Sequence, residues 1–190
     1  MDELAGRLRE LAREKLPAAR YLHTLGVEQE AMTLAMRYGQ DVRQARYAAL
    51  LHDITKPERN QLKLCEEYGI IPPVFESEEP KLLHALTAQS YARRFDLPPD
   101  TLSAIRWHTT GRAGMSAFEK ILYLADYIEP FREPFDGLAR LRRLAYADLD
   151  RAMVFALGLT IDTQRSMGRA LHPATGEALR DLSEAIARRT

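Results

Sequence analysis

A histidine and an aspartate are adjacent at His52 and Asp53, and Lys56 follows three residues later, at the end of an apolar stretch. Adjacent side chains on a regular helix point about 100° apart, so this pair can share one metal ion only if further ligands come from other segments. A purely structural helix end would gain nothing from these three polar groups. The stretch therefore indicates a chemical site that is assembled from several parts of the chain.

Four further residues could complete such a site, and each lies within or at the end of an apolar segment with helical spacing: His23, His84, His108 and Asp126. An unpartnered polar group would be costly to bury in such segments. Imidazoles and carboxylates together suit iron, manganese, cobalt or zinc better than an oxygen-only magnesium cage, and they leave positions open for water. Because such an ion lowers the pKa of bound water toward neutrality, the ordered set predicts a metal-dependent phosphohydrolase.

Each of these residues also has a structural interpretation when it is taken alone. A single histidine on an apolar helix face is, in roughly four cases out of five, a core or boundary residue. A single aspartate is more often a hydrogen-bonded core acid, and a single lysine a solvated helix end. The functional interpretation depends on the order of the whole set, in which Asp53 would bind or bridge metal ions and orient the water.

Length, charge and cysteine content limit the classes of protein that fit the chain. Its 190 residues suit one domain, because such a chain can bury about 70% of its unfolded surface around one core. Lys and Arg number 27 and Asp and Glu number 27, so no overall basic field is available to hold a nucleic acid polymer, although a local pocket could bind a small anion. The single Cys65, the acidic N-terminus and the lack of a long apolar run predict a cytoplasmic protein without a membrane span.

Helical periodicity runs through nearly the whole sequence, with leucines and alanines three and four residues apart, so the predicted fold class is all-α. Asp41 is predicted to cap a helix that carries His52 and ends at Pro57. Ser116 and Glu119 have the spacing of a capping box. Residues 70–75 are predicted as an apolar loop that is either a lid or packed surface, and packing is the favoured alternative. Further helices are predicted at about 4–17, 18–38 and 58–68, from Pro80 through His84, from about 100 to 108, from 116 through Asp126, and at about 136–146, 148–168 and 175–189.

The order of His23, His52-Asp53 and Asp126 resembles the HD-domain phosphohydrolase superfamily. Three flanking stretches are more specific: Ala-Leu-Leu-His-Asp-Ile-Thr-Lys at 49–56, Trp-His-Thr-Thr-Gly at 107–111, and Ala-Asp-Tyr-Ile-Glu-Pro-Phe-Arg at 125–132. They are similar to the bacterial YqeK family, the symmetrical diadenosine tetraphosphate hydrolases. The similarity extends over about residues 18–180, and the stretch at 125–132 is its most specific part.

The resemblance implies a single HD-domain helical bundle over residues 1–190, with core motifs at about 18–132 and C-terminal helices at about 136–189. It implies an iron site with one ion or two, for which manganese, cobalt and zinc are alternatives, and hydrolysis of diadenosine tetraphosphate (Ap4A) to two ADP. By position, the metal ligands would be His23, His52, Asp53 and Asp126. Asp53 would also act in catalysis together with Lys56. Groups facing the substrate would be Arg20, His84, His108, Thr109, Arg132 and His172.

Several alternatives stay open at this stage. His84 and His108 could bind a second metal ion or the phosphates, and His172 could simply precede a helix N-terminus. The substrate could be another nucleotide, such as a nucleoside monophosphate, a cyclic nucleotide or an alarmone. The chain could also be a regulatory module that binds nucleotide without turnover, and a homodimer is compatible with the sequence.

Overall fold

The computed structural model describes residues 2–189, and within these residues it has eleven α-helices and no β-strand. The all-α class predicted from the sequence is confirmed. The terminal residues 1 and 190 of the predicted domain lie outside the described residues. The helices are α1 (Glu3–Lys15), α2 (Ala18–Arg37), α3 (Val42–Leu51), α4 (Gln61–Glu67), α5 (Val74–Glu78), α6 (Leu83–Ala92), α7 (Pro99–Trp107), α8 (Ala117–Ile128), α9 (Leu138–Ala147), α10 (Leu149–Ser166) and α11 (Pro173–Ala187).

Side-chain caps fix the starts of two helices that lead to the polar residues. The Asp41 carboxylate accepts hydrogen bonds from the backbone N–H groups of Arg43 and Gln44, at 2.8 and 3.1 Å, and so begins α3. Ser116 and Glu119 form both hydrogen bonds of a capping box at the start of α8. Both predicted caps are confirmed, and a cap of this kind contributes about 1 kcal/mol to stability.

The helix α3 ends at Leu51, so the predicted end at Pro57 is wrong. Proline has no N–H to donate to the carbonyl group four residues earlier, and its ring crowds that carbonyl. The carbonyl oxygen of Asp53 instead accepts from the N–H of Lys56 at 2.9 Å, and residues 52–57 form successive turns. The proline therefore unwinds the chain ahead of it, and α4 starts only at Gln61.

The segment 70–75 is more exposed than its apolar sequence predicts. Ile71 is 95% exposed and Val74 is 77% exposed, so the predicted packing of this loop is wrong. A short helix, α5, begins at Val74. Glu76 on α5 is buried, and its carboxylate accepts a hydrogen bond from Arg106 of α7. The segment is anchored by this ion pair and by the half-buried Phe75, whose ring packs edge-on against His172 with the ring centres 5.0 Å apart.

The hydrophobic core brings together the helices that carry the polar residues. Helix α2 packs against α3 and α8, α7 packs against α8, and α10 packs against α9 and α11. Leu34, Leu51 and Leu124, from α2, α3 and α8, are fully buried. Each such side chain contributes roughly 1.5–3 kcal/mol relative to leaving it exposed. None of the helices in residues 2–189 combines the length and the hydropathy that a membrane span requires.

Candidate metal centre and active site

Five helices deliver six polar side chains to one place in the fold. His23 lies within α2, His52 and Asp53 lie at the C-terminal end of α3, and His84 lies in the first turn of α6. His108 follows the last residue of α7, and Asp126 lies in the last turn of α8. Five of these side chains are buried and Asp126 is partly exposed. The structure thus brings together all of the histidines and aspartates predicted at the centre of the site.

Three of the histidines are oriented by backbone carbonyl groups that lie close to them along the chain. The Nδ1 atoms of His52, His84 and His108 lie 2.6, 2.6 and 2.7 Å from the backbone carbonyl oxygen three residues earlier. A carbonyl oxygen only accepts hydrogen bonds, so each Nδ1 carries the proton and each neutral ring presents the lone pair of Nε2. These lone pairs point into the site, in the form that binds a metal ion.

The donor atoms form two overlapping groups that could hold an ion. His23, His52 and Asp126 form the first group, and His52, Asp53 and His108 form the second; within each group the ligand atoms lie within 4.8 Å of one another. His23 Nε2 is 2.9 Å from Asp126 Oδ1, and His52 Nε2 is 3.8 Å from the same oxygen. The four predicted metal ligands therefore lie close together, with His52 shared between the groups.

Buried ligand atoms that lack a hydrogen-bond partner indicate that the site fits a cation. His52 Nε2 and Asp53 Oδ1 are buried and have no hydrogen-bond partner among residues 2–189. The Nε2 atoms of His84 and His108 are 3.2 Å apart. Two lone pairs at this distance repel each other unless a proton or a cation lies between them, and the hydroxyl of Thr109 can donate to only one. Imidazole and carboxylate donors of this kind suit a borderline transition metal ion.

Two cationic side chains hold Asp53 in its ionised form. Arg20 Nη1 and Lys56 Nζ lie 3.0 and 3.1 Å from Asp53 Oδ2, and the other oxygen faces His84 at 3.3 Å. Burial alone would raise the pKa of Asp53, but the neighbouring His52 and Lys56 hold this pKa well below its usual value. Asp53 is therefore ionised although it is buried, and the ionised carboxylate is the form that binds a metal ion.

Asp126 is kept ionised in a similar way by a different set of partners. Burial raises its pKa, but the neighbouring His23 and His52 bring this pKa well below the ordinary range. The guanidinium group of Arg132 donates to the backbone carbonyl of Asp126 and lies 3.2 Å from its Oδ1. Arg132 is thus a cation at the edge of the centre, with its side chain partly exposed.

A cavity of about 560 Å³ opens beside the centre. His108, Thr109, Asp126 and Arg132 of the centre and its surroundings line this cavity, and the remaining lining residues are Tyr123, Tyr127, Phe135, Asp136, Leu159, Thr160 and Thr163. The Tyr127 ring packs edge-on against Phe135, with the ring centres 5.7 Å apart. The sequence motifs did not predict this aromatic wall, although Tyr127 lies in the most specific stretch of the sequence.

His172 lies apart from the histidine cluster, at a second and smaller cavity of about 110 Å³ that Thr109 also lines. It is the N-cap of α11, where its Nδ1 accepts a hydrogen bond from the N–H of Ala174 at 3.2 Å. This is the alternative in which His172 precedes a helix N-terminus. Its Nε2 is 3.3 Å from the carboxylate of Glu76. The predicted contact of His172 with substrate stays a prediction.

The fold and the donor set correspond to a known family. The sequence model of the HD domain matches residues 20–130, which include every histidine and aspartate of the centre. The chain belongs to the HD-domain family, as its motifs predicted.

More similar relatives define a narrower group within that family. The chain is 38% identical to the symmetrical bis(5′-nucleosyl)-tetraphosphatase of Halalkalibacterium halodurans, over 90% of this chain and 92% of the relative. It is 35% identical to the protein of the same name from Bacillus subtilis, over 86% and 89% of the two chains. The chain therefore belongs to the family of these symmetrical tetraphosphatases.

A solved structure supports the same assignment. A crystal structure from Clostridium acetobutylicum, described as a predicted HD superfamily hydrolase involved in NAD metabolism, superposes with a TM-score of 0.88. The two chains are 37% identical, and the match covers 96% of this chain and 97% of the other. The arrangement of the helices is therefore shared along nearly the whole length of both proteins.

Proposed function

We propose that this protein hydrolyses diadenosine tetraphosphate symmetrically, to two molecules of ADP, in a metal-dependent reaction. The observation that carries the proposal is that the histidine and aspartate centre borders a cavity that is lined both by the cationic Arg132 and by the aromatic rings of Tyr127 and Phe135. The relatives named symmetrical bis(5′-nucleosyl)-tetraphosphatase support the same substrate and the same position of cleavage.

The metal would be held by His23, His52, Asp53 and Asp126. Iron is the ion that we propose, and manganese, cobalt and zinc suit the same donors. Such an ion supplies a water molecule of lowered pKa as the nucleophile and neutralises charge on a phosphate oxygen. The second donor group, which adds His108, supports a second ion, and elemental analysis that gives one or two ions per chain distinguishes these stoichiometries.

The protein's own residues would bind and orient the polyphosphate. Arg132 and Thr109 line the cavity next to the metal ligands, where they can neutralise and position phosphate oxygens. Arg20 and Lys56 hold the Asp53 carboxylate between them, so that it can orient the attacking water. His84 faces the same carboxylate. ADP is a good leaving group, so a strong general acid is not required.

The aromatic lining of the cavity supports a binding site for one adenosine. Tyr127 and Phe135 offer apolar ring surfaces, and Thr160 and Thr163 offer hydroxyl groups at the same wall. Aromatic side chains bind bases by stacking, with about 1–3 kcal/mol per base. If the nucleoside is fixed there, the number of phosphates between it and the metal ligands sets the bond that breaks. Attack at the second phosphorus releases two ADP from the symmetrical substrate.

Product analysis by chromatography tests the proposal with protein purified together with its metal. Diadenosine tetraphosphate should give only ADP, the pentaphosphate should give ADP and ATP, and ADP should inhibit as a product. NAD is an informative comparison, because hydrolysis of the anhydride bond in its two-phosphate bridge cannot release ADP. AMP and ATP as the main products of the tetraphosphate would refute the proposed attack at the second phosphorus.

The same assay separates the alternatives that the sequence leaves open. A phosphohydrolase for another nucleotide would turn over a nucleoside monophosphate, a cyclic nucleotide or an alarmone faster than the dinucleotide. A regulatory module would bind the dinucleotide without forming product. Location in the cytoplasm and assembly as a homodimer are further proposals, which fractionation and light scattering test.

A further inference from the structure

Glu129 is a buried carboxylate in contact with the candidate metal centre. It caps the C-terminal end of α8 and is 2% exposed. Its Oε1 lies 3.1 Å from His23 Nδ1, and its Oε2 accepts a hydrogen bond from the backbone N–H of Phe131. The carbonyl oxygen of Glu129 accepts from Arg142 at 2.8 Å. Both the side chain and the main chain of Glu129 are therefore fixed in place.

His23 differs from the other histidines of the centre in what orients its ring. The Nδ1 atoms of His52, His84 and His108 each donate to a backbone carbonyl, which no substitution of a side chain removes. His23 lies within α2, where the carbonyl groups accept the helical hydrogen bonds. Its Nδ1 pairs with the Glu129 carboxylate instead. The orientation and the tautomer of His23 therefore depend on one side chain.

Gly26 has no side chain, and this leaves space for the Glu129 carboxylate against α2. A Cβ atom at this position would lie inside van der Waals contact of Glu129 Oε2 and 3.0 Å from Phe131 Cδ2. Glycine in the middle of a helix is otherwise unfavourable, because it loses more conformational entropy than alanine. A glycine one turn after His23 is explained by the close approach of Glu129.

We propose that Glu129 is a positioning residue for the metal. It holds His23 with the proton on Nδ1 and the lone pair of Nε2 toward the ion. Gly26 is the opening in α2 that admits the carboxylate. The inference rests on the proposed metal site and adds to it a residue that the motifs of the sequence do not assign.

Glu129→Gln is the sharpest test, because it keeps the size of the side chain. Both partners of the carboxylate, the Phe131 N–H and the His23 Nδ1–H, are donors. Glutamine has only one acceptor oxygen, so an N–H group of the amide must face one of these donors, or His23 must move its proton to Nε2. A ring protonated at Nε2 cannot bind the metal through that atom. Loss of such a partner typically weakens metal binding 10- to 100-fold.

The experiment uses the full chain stripped of metal and titrated with Zn²⁺ against a coloured chelator. We expect Glu129→Gln to weaken zinc binding about 10- to 100-fold. In the zinc-loaded wild type, nitrogen NMR should show His23 protonated at Nδ1 and bound through Nε2, and this signature should be lost in the variant. A residue with a merely structural role would change the unfolding temperature and leave this signature intact.

Two matched controls separate positioning from general damage. Glu28→Gln removes another buried carboxylate, which lies in the middle of α2 and is paired with Arg9 and Arg46, and it should leave zinc affinity unchanged. Gly26→Ala should weaken zinc binding even with Glu129 intact, whereas Gly6→Ala, in a helix with no atom within 4 Å of the new Cβ, should have no effect on it.

Two results would overturn the inference and are distinguishable. If Glu129→Gln and Gly26→Ala bind zinc within twofold of wild type, the positioning role is wrong while the metal site stands. If the wild-type chain itself binds no zinc, manganese or iron, the proposed metal site is wrong, and the role of Glu129 fails with it.

Discussion

Replacement of Arg132 by alanine should separate substrate binding from metal binding. The Arg132 guanidinium lies at the mouth of the 560 Å³ cavity, beside Asp126 and outside the two donor groups. A charge-assisted hydrogen bond to a phosphate contributes about 1.5–3 kcal/mol. Arg132 is partly exposed and already paired with Asp126, which favours the lower part of this range. A loss of about 1.5–2 kcal/mol corresponds to a fall of about 10- to 30-fold in kcat/KM.

The assay combines steady-state kinetics on diadenosine tetraphosphate with elemental analysis of the same sample. The variant should keep its metal, and Arg132→Lys should recover part of the loss because it keeps the charge without the planar fork. Arg140→Ala is the control, since Arg140 is exposed and packs over Phe155 at a different part of the surface. Loss of the metal in Arg132→Ala, or kcat/KM within twofold of wild type, would refute the assigned role.

Three further perturbations have defined outcomes. Asp53→Asn should abolish turnover and reduce the metal content, because it removes the one fully buried anionic ligand; retention of both by the variant would contradict the site. Glu76→Gln should lower the free energy of unfolding by about 3–5 kcal/mol in denaturant titrations, because it leaves Arg106 buried without its partner. Burial raises the pKa of Glu76, but His172 and Arg106 hold this pKa below its unfolded value. The stability that the ion pair contributes is therefore present above the unfolded value and is lost as the pH falls through the lower folded value, and Glu76→Gln should lack this part of the acid dependence. Leu124→Ala should cost about 2–5 kcal/mol in the same titrations, and a cost below 1 kcal/mol would show that the core around α8 is loosely packed.

The sequence was sufficient for the fold class and for most helix boundaries because both depend on local rules. Helical periodicity, Asp41 at a cap and the Ser116–Glu119 capping box act over a few residues and are readable without a structure. The end of α3 was misplaced because Pro57 acts on the turn ahead of it rather than at its own position. The single-domain assignment stays a prediction, supported by one hydrophobic cluster that runs from Ala5 to Leu182.

The exposed apolar loop shows where a local rule misleads. Ile71 and Val74 are apolar, and hydrophobicity alone predicts that such residues pack. The segment that carries them is held in part by Glu76, whose partners Arg106 and His172 lie 30 and 96 residues away along the chain. A pairing between such distant residues leaves no pattern in the local sequence, so composition could not reveal it.

In the candidate site too, some residues could be predicted from a local sequence pattern and others only from contacts between distant parts of the chain. His52 and Asp53 were identifiable because a helix end with two polar groups has no structural use for both. Glu129 was not identified, although it lies in the most specific stretch, because an isolated glutamate before a proline has an ordinary surface interpretation. Only its distance to His23, 106 residues earlier, gives the carboxylate a chemical role.

The difference between His23 and the other histidines follows from where each lies on its helix. A histidine near a helix terminus can donate to a carbonyl of its own helix that has no other strong partner, as His52 and His108 do. A histidine inside a helix, where the carbonyl groups are already bonded, must take its partner from another element. A metal centre that draws one ligand from the middle of α2 therefore requires a carboxylate from elsewhere and a gap in α2 through which it can reach the ring, and Glu129 and Gly26 meet these two requirements.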